Sequence, residues 1–220
     1  MQSDGYNASV PDLRPLLDRE RGALVIRHGP RFGGDVALDS DGLTDAGKEA
    51  ALNLGKRLPA HMEIRFFSSP IGRCIDTAKM IAEGAGIDAE ITISRMLAKP
   101  GPYPIDEAQV EKYCQDETLH RFMIDWVEGR VPDAAIGPLP DGAELLVSHV
   151  LGHLREKDRG LDIHVGHDIF LTPVPIRYLG YDVCSLGLLG FLDGFTAVVD
   201  GEDTILSHSG RSVRLRPDEI

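Results

Sequence analysis

Cysteine is scarce in this sequence: its 220 residues include three, Cys74, Cys114 and Cys184. An odd number without a close pair does not suit a disulfide framework and fits a reducing compartment, so we expect a cytoplasmic protein. A chain of this length buries roughly 70% of the surface that its unfolded form exposes. It therefore needs neither a disulfide nor a metal ion to hold its core together.

Long apolar runs are also missing. The most apolar stretch, residues 183–199, is interrupted by Asp193 and several glycines, which argues against a membrane span. Residues 1–11 have neither a basic segment nor an apolar stretch, so we expect no secretory signal.

Positive charge is in deficit, with 23 Lys and Arg against 35 Asp and Glu and a net charge of −12. Nonspecific nucleic-acid binding needs a basic footprint, so this balance argues against a nucleic-acid partner. A small anionic ligand remains compatible, because a few converging arginines can reverse the potential inside one cleft.

What the sequence does contain is an alternation of apolar strands and amphipathic helices. The run Ala23–Ile26 is typical of a strand buried on both faces, and Gly29 and Pro30 end it. Similar patterns predict further strands at 64–67, 90–93, 161–165, 196–199, 204–206 and 212–215. Helices are predicted at 45–58, from Pro70 to about Glu83, and at 107–114, 118–128, 143–157 and from near 168.

This alternation predicts a single α/β domain over residues 1–220, a three-layer sandwich with helices on both faces of a mostly parallel central sheet. Residues 1–20 are expected to form a peripheral arm or short helix. Residues 95–140, rich in proline and glycine, are expected to form an insertion or cap that selects the substrate, together with the Gly33-Gly34 loop.

Three polar motifs follow predicted strands: RHGPR, SSPIGR and GHD. In such sheets ligands bind beyond the carboxyl ends of the strands, so the three motifs should meet at one edge. The side chains expected there are Arg27, His28, Arg31, Arg73, His167 and Asp168.

The chemistry of this set favours phosphate. Planar guanidinium groups bind two phosphate oxygens at once, and an imidazole can attack phosphorus to form a covalent intermediate. Asp168 is the nearest carboxylic acid that could protonate the leaving oxygen. Because arginines and a second histidine stabilise the charge, no metal and no organic cofactor is expected.

The ordered motifs resemble the histidine phosphatase superfamily, also called the phosphoglycerate mutase-like superfamily. The resemblance rests on Arg27-His28-Gly29, Leu43-Thr44 with Gly47, Ser68-Ser69-Pro70 with Arg73, Thr77 and Ala78, and Gly166-His167. It implies that His28 is the phosphorylated nucleophile and that Arg27, Arg73 and His167 bind the phosphoryl group.

Two further residues match features of the acid-phosphatase branch. Arg31 fits its RHGxR pattern, and Asp168 fits its His-Asp pair, in which Asp is the general acid. The mutase-like branch takes its acid from a Glu in the middle of the chain, which leaves Glu107 as the alternative to Asp168. The secreted, disulfide-bonded character usual in the acid-phosphatase branch is not matched.

The leading hypothesis is a phosphomonoester hydrolase that acts on a small phosphorylated substrate and also binds inorganic phosphate. The alternatives are a phosphomutase of the same superfamily and a noncatalytic module that binds phosphate or a phosphopeptide. The sequence leaves the oligomeric state open.

Two other patterns have simpler interpretations. His149 and His153 are four residues apart on a predicted helix, but the Glu of HExxH and a third ligand are missing, so a helix face is favoured over a metal site. The run at 188–195, LLGFLDGF, is interpreted as core or dimer surface.

Overall fold

The computed structural model describes residues 11–32, 42–103, 105–113 and 119–220. In these residues one sheet contains seven strands in the order β3-β2-β4-β1-β5-β6-β7. The strands are β1 Arg21–Arg27, β2 Ile64–Ser68, β3 Ile91–Ile93, β4 Gly160–Gly166, β5 Gly194–Asp200, β6 Asp203–His208 and β7 Arg211–Leu215.

The sheet is mixed. Strands β3, β2, β4 and β1 run parallel, whereas β5, β6 and β7 join the β1 edge as an antiparallel extension. The predicted α/β sandwich is thus confirmed, and the parallel arrangement belongs to the strands that carry the three motifs. A hairpin turn at Asp200-Gly201 joins β5 to β6, with Gly201 at φ 69°.

Nine α-helices occur in the described residues, besides two short 3₁₀ helices. They are α1 Arg14–Leu17, α2 Asp45–Gly55, α3 Gly72–Gly84, α4 Glu107–Tyr113, α5 Leu119–Val127, α6 Leu139–Arg155, α7 Asp168–Leu171, α8 Pro173–Leu179 and α9 Val183–Leu186. Helices α2 and α3 pack on one face of the sheet, and α6 and α8 pack on the other.

Strand β1 explains this three-layer arrangement. Its residues Ala23–Ile26 are fully buried, with Leu24 and Ile26 in one core and Ala23 and Val25 in the other. Because successive strand side chains point to opposite faces, a strand covered on both sides needs a continuous apolar run. The sequence pattern therefore reflects burial on both faces.

Residues 95–140 contribute a third core. It includes Tyr103, Phe122, Trp126 and Ile136, and it also contains Phe170 from α7. This cluster connects the predicted insertion to the segment that follows His167. Gly33, Gly34 and Cys114 lie outside the described residues.

Some predicted boundaries were wrong. Helix α3 begins at Gly72 and not at Pro70, because the backbone N–H of Ile71 first donates to the Ser69 hydroxyl. Helix α6 begins at Leu139 rather than Ala143: Pro140 is tolerated in its first turn, where no intrahelical N–H bond is needed.

The described part of the predicted arm, residues 11–20, contains α1. Its Leu16 and the preceding Leu13 are buried in the core beside α2 and α3. No helix within the described ranges is both long and apolar enough to cross a membrane.

Candidate active site

The register of the parallel strands places the two site histidines side by side. Arg27 at the end of β1 pairs with Gly166 at the end of β4, so His28 and His167 follow at the same level. The backbone N–H of His28 donates to the Gly166 carbonyl at 3.0 Å, and the two imidazole centroids are 5.4 Å apart. The predicted convergence of these histidines at one sheet edge is observed.

The neighbours of His28 fix its tautomer. Arg73 Nε–H donates to His28 Nε2 at 3.1 Å, and since a guanidinium has only donors, Nε2 is unprotonated. The other ring nitrogen, Nδ1, lies 2.8 Å from the Gly29 carbonyl oxygen and carries the hydrogen. His28 therefore presents the lone pair of Nε2 to the arginine side of the site.

The environment of His28 keeps the ring neutral. Burial, helped by the charges of Arg27 and Arg73, lowers the pKa of His28 well below its ordinary value, against the opposing effect of the Gly29 carbonyl. A neutral imidazole is the form that can act as a nucleophile.

Arg73 lies in the first turn of α3, and this helix contacts the RHG segment through Thr77. Thr77 Oγ1 donates to the Arg73 carbonyl at 2.7 Å and accepts the Gly29 N–H at 3.0 Å. One buried hydroxyl thus ties the helix that carries Arg73 to the loop that carries His28. This contact accounts for Thr77 in the motif.

His167 lies between Arg73 and Ser69. Arg73 Nη2 is 3.3 Å from His167 Nδ1, which must accept, so His167 Nε2 carries the hydrogen and donates to Ser69 Oγ at 3.0 Å. Burial, followed by the charges of Arg73 and Arg27, lowers the pKa of His167 to about 3. Both site histidines are consequently neutral at physiological pH.

Arg27 pairs with Asp168 across the site, with 2.9 Å between Nη2 and Oδ2. Its Nη1 donates to the Leu189 carbonyl at 2.8 Å, and its guanidinium carbon lies 4.2 Å from the centroid of the Phe191 ring. The Nε–H has no hydrogen-bond partner among the described residues. Burial is the main cause that lowers the pKa of Arg27, and the Asp168 carboxylate opposes it.

Arg31 and Glu107 have different surroundings. Arg31 is buried, donates to the Phe32 carbonyl at 2.9 Å, and lies close enough for its charge to lower the pKa of Arg27. Glu107 is exposed at the start of α4 and forms an ion pair with Lys99 at 3.2 Å. Of the two candidate acids, Asp168 is the one paired with a residue of the cluster.

Sequence reasoning missed two contacts of Arg27. Leu189 and Phe191 belong to the run LLGFLDGF. Its interpretation as core holds for Leu189, which is buried. It does not hold for Phe191, which contacts Arg27 and lies 5.6 Å from the His28 ring. The sequence signal that could have indicated this contact is an aromatic residue between two glycines just before a strand.

The two remaining histidines of interest lie elsewhere. His149 and His153 stack edge to face on α6, with ring centroids 4.8 Å apart. Among the side chains that the structure describes, no group of three or more His, Cys, Asp or Glu is arranged to hold a metal ion.

The sequence comparison agrees with this geometry. Residues 24–98 match the family model of the histidine phosphatase superfamily (branch 1). The resemblance to the histidine phosphatase superfamily is confirmed. The matched range includes Arg27, His28 and Arg73, whereas His167 and Asp168 lie beyond it. The match is to branch 1, so the acid-phosphatase features of Arg31 and Asp168 stay predictions. No curated protein sequence matches the chain.

Solved structures of two phosphatases and a mutase resemble this one over most of the chain. A phosphoserine phosphatase from Entamoeba histolytica is 15% identical with a TM-score of 0.58, over 84% of this chain and 94% of that one. A mycobacterial glucosyl-3-phosphoglycerate phosphatase is 18% identical with a TM-score of 0.52, over 90% and 99%. A phosphoglycerate mutase from Bacillus anthracis is 15% identical with a TM-score of 0.57, over 91% and 93%. At such identities the likeness establishes the fold.

Proposed function

We propose that this protein hydrolyses phosphomonoesters through a phosphohistidine formed on His28. The observation that carries the proposal is the neutral His28, whose unprotonated Nε2 faces the Arg73 guanidinium at 3.1 Å. A nucleophile and cationic groups at one site are what phosphoryl transfer requires, because its transition state spreads negative charge over the phosphoryl oxygens.

The reaction proceeds in two displacements. Arg27, Arg73 and His167 bind the phosphoryl oxygens, with Arg31 adding positive charge beside them. His28 Nε2 attacks phosphorus as the bond to the leaving oxygen breaks, and Asp168 donates a proton to that oxygen. Water then attacks the phosphohistidine, Asp168 takes up the proton of this water, and phosphate is released.

The substrate class is a small phosphorylated molecule. Structures with this fold include a phosphoserine phosphatase in complex with 3-phosphoglyceric acid and a mycobacterial phosphatase in complex with inorganic phosphate. We assign selection among such molecules to residues 95–140, whose core includes Phe170, three residues after His167. The scarcity of cysteine supports action in the cytoplasm.

The mechanism uses no metal ion, because arginines supply the positive charge. We therefore expect hydrolysis of p-nitrophenyl phosphate to persist when EDTA is added. A large loss of turnover with EDTA, reversed by a divalent cation, would contradict this part of the proposal.

The test of the nucleophile compares wild type with His28→Ala on p-nitrophenyl phosphate between pH 4 and 8. His61→Ala, a change at an exposed histidine, is the matched control. We expect the His28 variant to lose at least about a thousandfold in kcat, since the covalent route is removed, and the control to match wild type. Undiminished turnover in His28→Ala would rule the proposal out.

A further inference from the structure

The loop between α9 and β5 brings an aromatic ring to the phosphate-binding edge. The Phe191 ring lies 4.2 Å from the Arg27 guanidinium carbon and 5.6 Å from the His28 ring, measured between centroids. Two residues earlier, the Leu189 carbonyl accepts a hydrogen bond from Arg27 at 2.8 Å. One short loop thus contacts the guanidinium both through its backbone and through an aromatic ring.

This loop is anchored on both sides of Phe191. The Leu189 N–H donates to Thr172 Oγ1 at 3.2 Å, and the Leu192 N–H donates to the Arg27 carbonyl at 3.2 Å. The Arg27 N–H in turn donates to the Asp193 carbonyl at 2.9 Å. Leu189 and Leu192 are both buried, so the backbone that presents the ring is held in place.

A fixed ring matters because the acidic partner of Arg27 has a second task. In the described structure Asp168 neutralises Arg27, but a protonated Asp168, ready to donate to the leaving oxygen, no longer pairs with it strongly. The Leu189 carbonyl and the Phe191 face remain, and the negative face of an aromatic ring attracts a guanidinium. A ring placed over the guanidinium carbon also leaves the edge of the guanidinium, which carries its N–H groups, available to phosphate oxygens.

We infer that Phe191 is a positioning residue, which holds the Arg27 guanidinium in its phosphate-binding orientation beside His28. The inference rests on the proposed function for its catalytic meaning, but it can be tested by oxyanion binding alone.

The experiment measures the Kd of orthovanadate, and kcat and KM for p-nitrophenyl phosphate, in Phe191→Leu and Phe191→Tyr. Leu186→Ala is the matched control, because this residue lies five positions earlier and its side chain is exposed. We expect Phe191→Leu to weaken vanadate binding about tenfold, in line with a partly buried cation–π contact. Phe191→Tyr, which keeps the ring, should stay within about twofold of wild type.

A double-variant cycle separates positioning from general packing. If Phe191 acts through Arg27, Phe191→Leu combined with Arg27→Ala should bind vanadate no more weakly than Arg27→Ala alone. The inference is overturned if Phe191→Leu binds like wild type, or if its loss persists fully in the Arg27→Ala background. Should Phe191→Leu not fold, Phe191→Met takes its place in the same cycle.

The outcomes also separate this inference from the proposed function. If the wild-type protein binds vanadate but hydrolyses no ester, the hydrolase proposal is wrong. The Kd values for vanadate in the Phe191 cycle still test the inference. If hydrolysis is efficient and replacement of the Phe191 ring leaves it unchanged, only the inference is overturned. Wild type that binds no oxyanion overturns both.

Discussion

At the scale of single residues, the site is specified by hydrogen-bond donors that leave no choice of tautomer. Arg73 reaches both histidines, at 3.1 Å to His28 Nε2 and 3.3 Å to His167 Nδ1. Because a guanidinium cannot accept, both of these nitrogens are unprotonated. The sequence indicated which residues meet, but the direction of these bonds depends on distances that a sequence does not contain.

The role of Asp168 can be tested by varying the leaving group. p-Nitrophenolate departs without a proton, whereas an alkoxide needs one. We therefore expect Asp168→Asn to lower kcat on an alkyl phosphate such as glycerol phosphate about a hundredfold, and much less on p-nitrophenyl phosphate. Steady-state kinetics on both substrates provide the measurement.

Glu107→Gln is the matched control, and it should leave both substrates unaffected. Equal losses on the two substrates in Asp168→Asn would mean that the carboxylate only holds Arg27. A selective loss on the alkyl ester in the Glu107 variant would transfer the acid role to Glu107.

At the scale of elements, α2 and α3 approach each other at two glycines. A Cβ on Gly55 would lie 2.0 Å from the Ile81 carbonyl oxygen, and one on Gly84 would lie 2.0 Å from that of Leu52. Since α3 carries Arg73, this close packing also sets the position of that arginine at the site.

Gly55→Ala should consequently lower the free energy of unfolding by about 1–3 kcal/mol, because the helices must separate to admit the methyl group. Gly152→Ala is the control: Gly152 is an exposed helical glycine, and among the described residues no atom beyond its own stretch of helix lies within 4 Å of the added Cβ. That change should be neutral or stabilising by about 0.5–1 kcal/mol. Urea unfolding measures the free energy of unfolding of both variants. Equal values for Gly55→Ala and Gly152→Ala would contradict the packing argument.

Helices and strands were predictable where a local sequence pattern indicates them. The apolar run of β1 and the capped start of α2 at Thr44, whose hydroxyl accepts the Gly47 N–H, are local signals. The contact between Arg27 and the Phe191 loop is not, because more than 160 residues separate the two in the chain. A glycine-rich apolar loop has the same composition whether it fills a core or faces a site.

At the scale of the whole molecule, an acidic chain encloses several neutral histidines. Burial is the first cause that lowers the pKa values of His28, His164 and His167. His164 is fully buried, stacks on Phe67 at 4.6 Å, and neither of its ring nitrogens has a hydrogen-bond partner among the described residues.

These histidines predict a loss of stability in mild acid. Below pH 6.5 these histidines bind protons in the unfolded chain but stay neutral in the folded chain. The free energy of unfolding therefore falls as the pH falls. Each such histidine contributes about 1.4 kcal/mol per pH unit, and His167 does so down to its folded pKa of about 3. Urea unfolding at pH 7, 6 and 5 measures the slope before most carboxylates titrate.

His164→Leu should reduce that slope by the share of one histidine and should not alter vanadate binding. A free energy of unfolding that stays constant from pH 6.5 to 5 would show that these rings accept protons in the folded state.

Rapid-quench labelling with a ³²P-phosphomonoester tests whether the phosphoryl group is transferred to His28. We expect a labelled enzyme, stable in alkali and labile in acid, with the label on the peptide that contains His28. Steady hydrolysis with no labelled enzyme at any quench time, or with the label on another residue, would contradict transfer to His28.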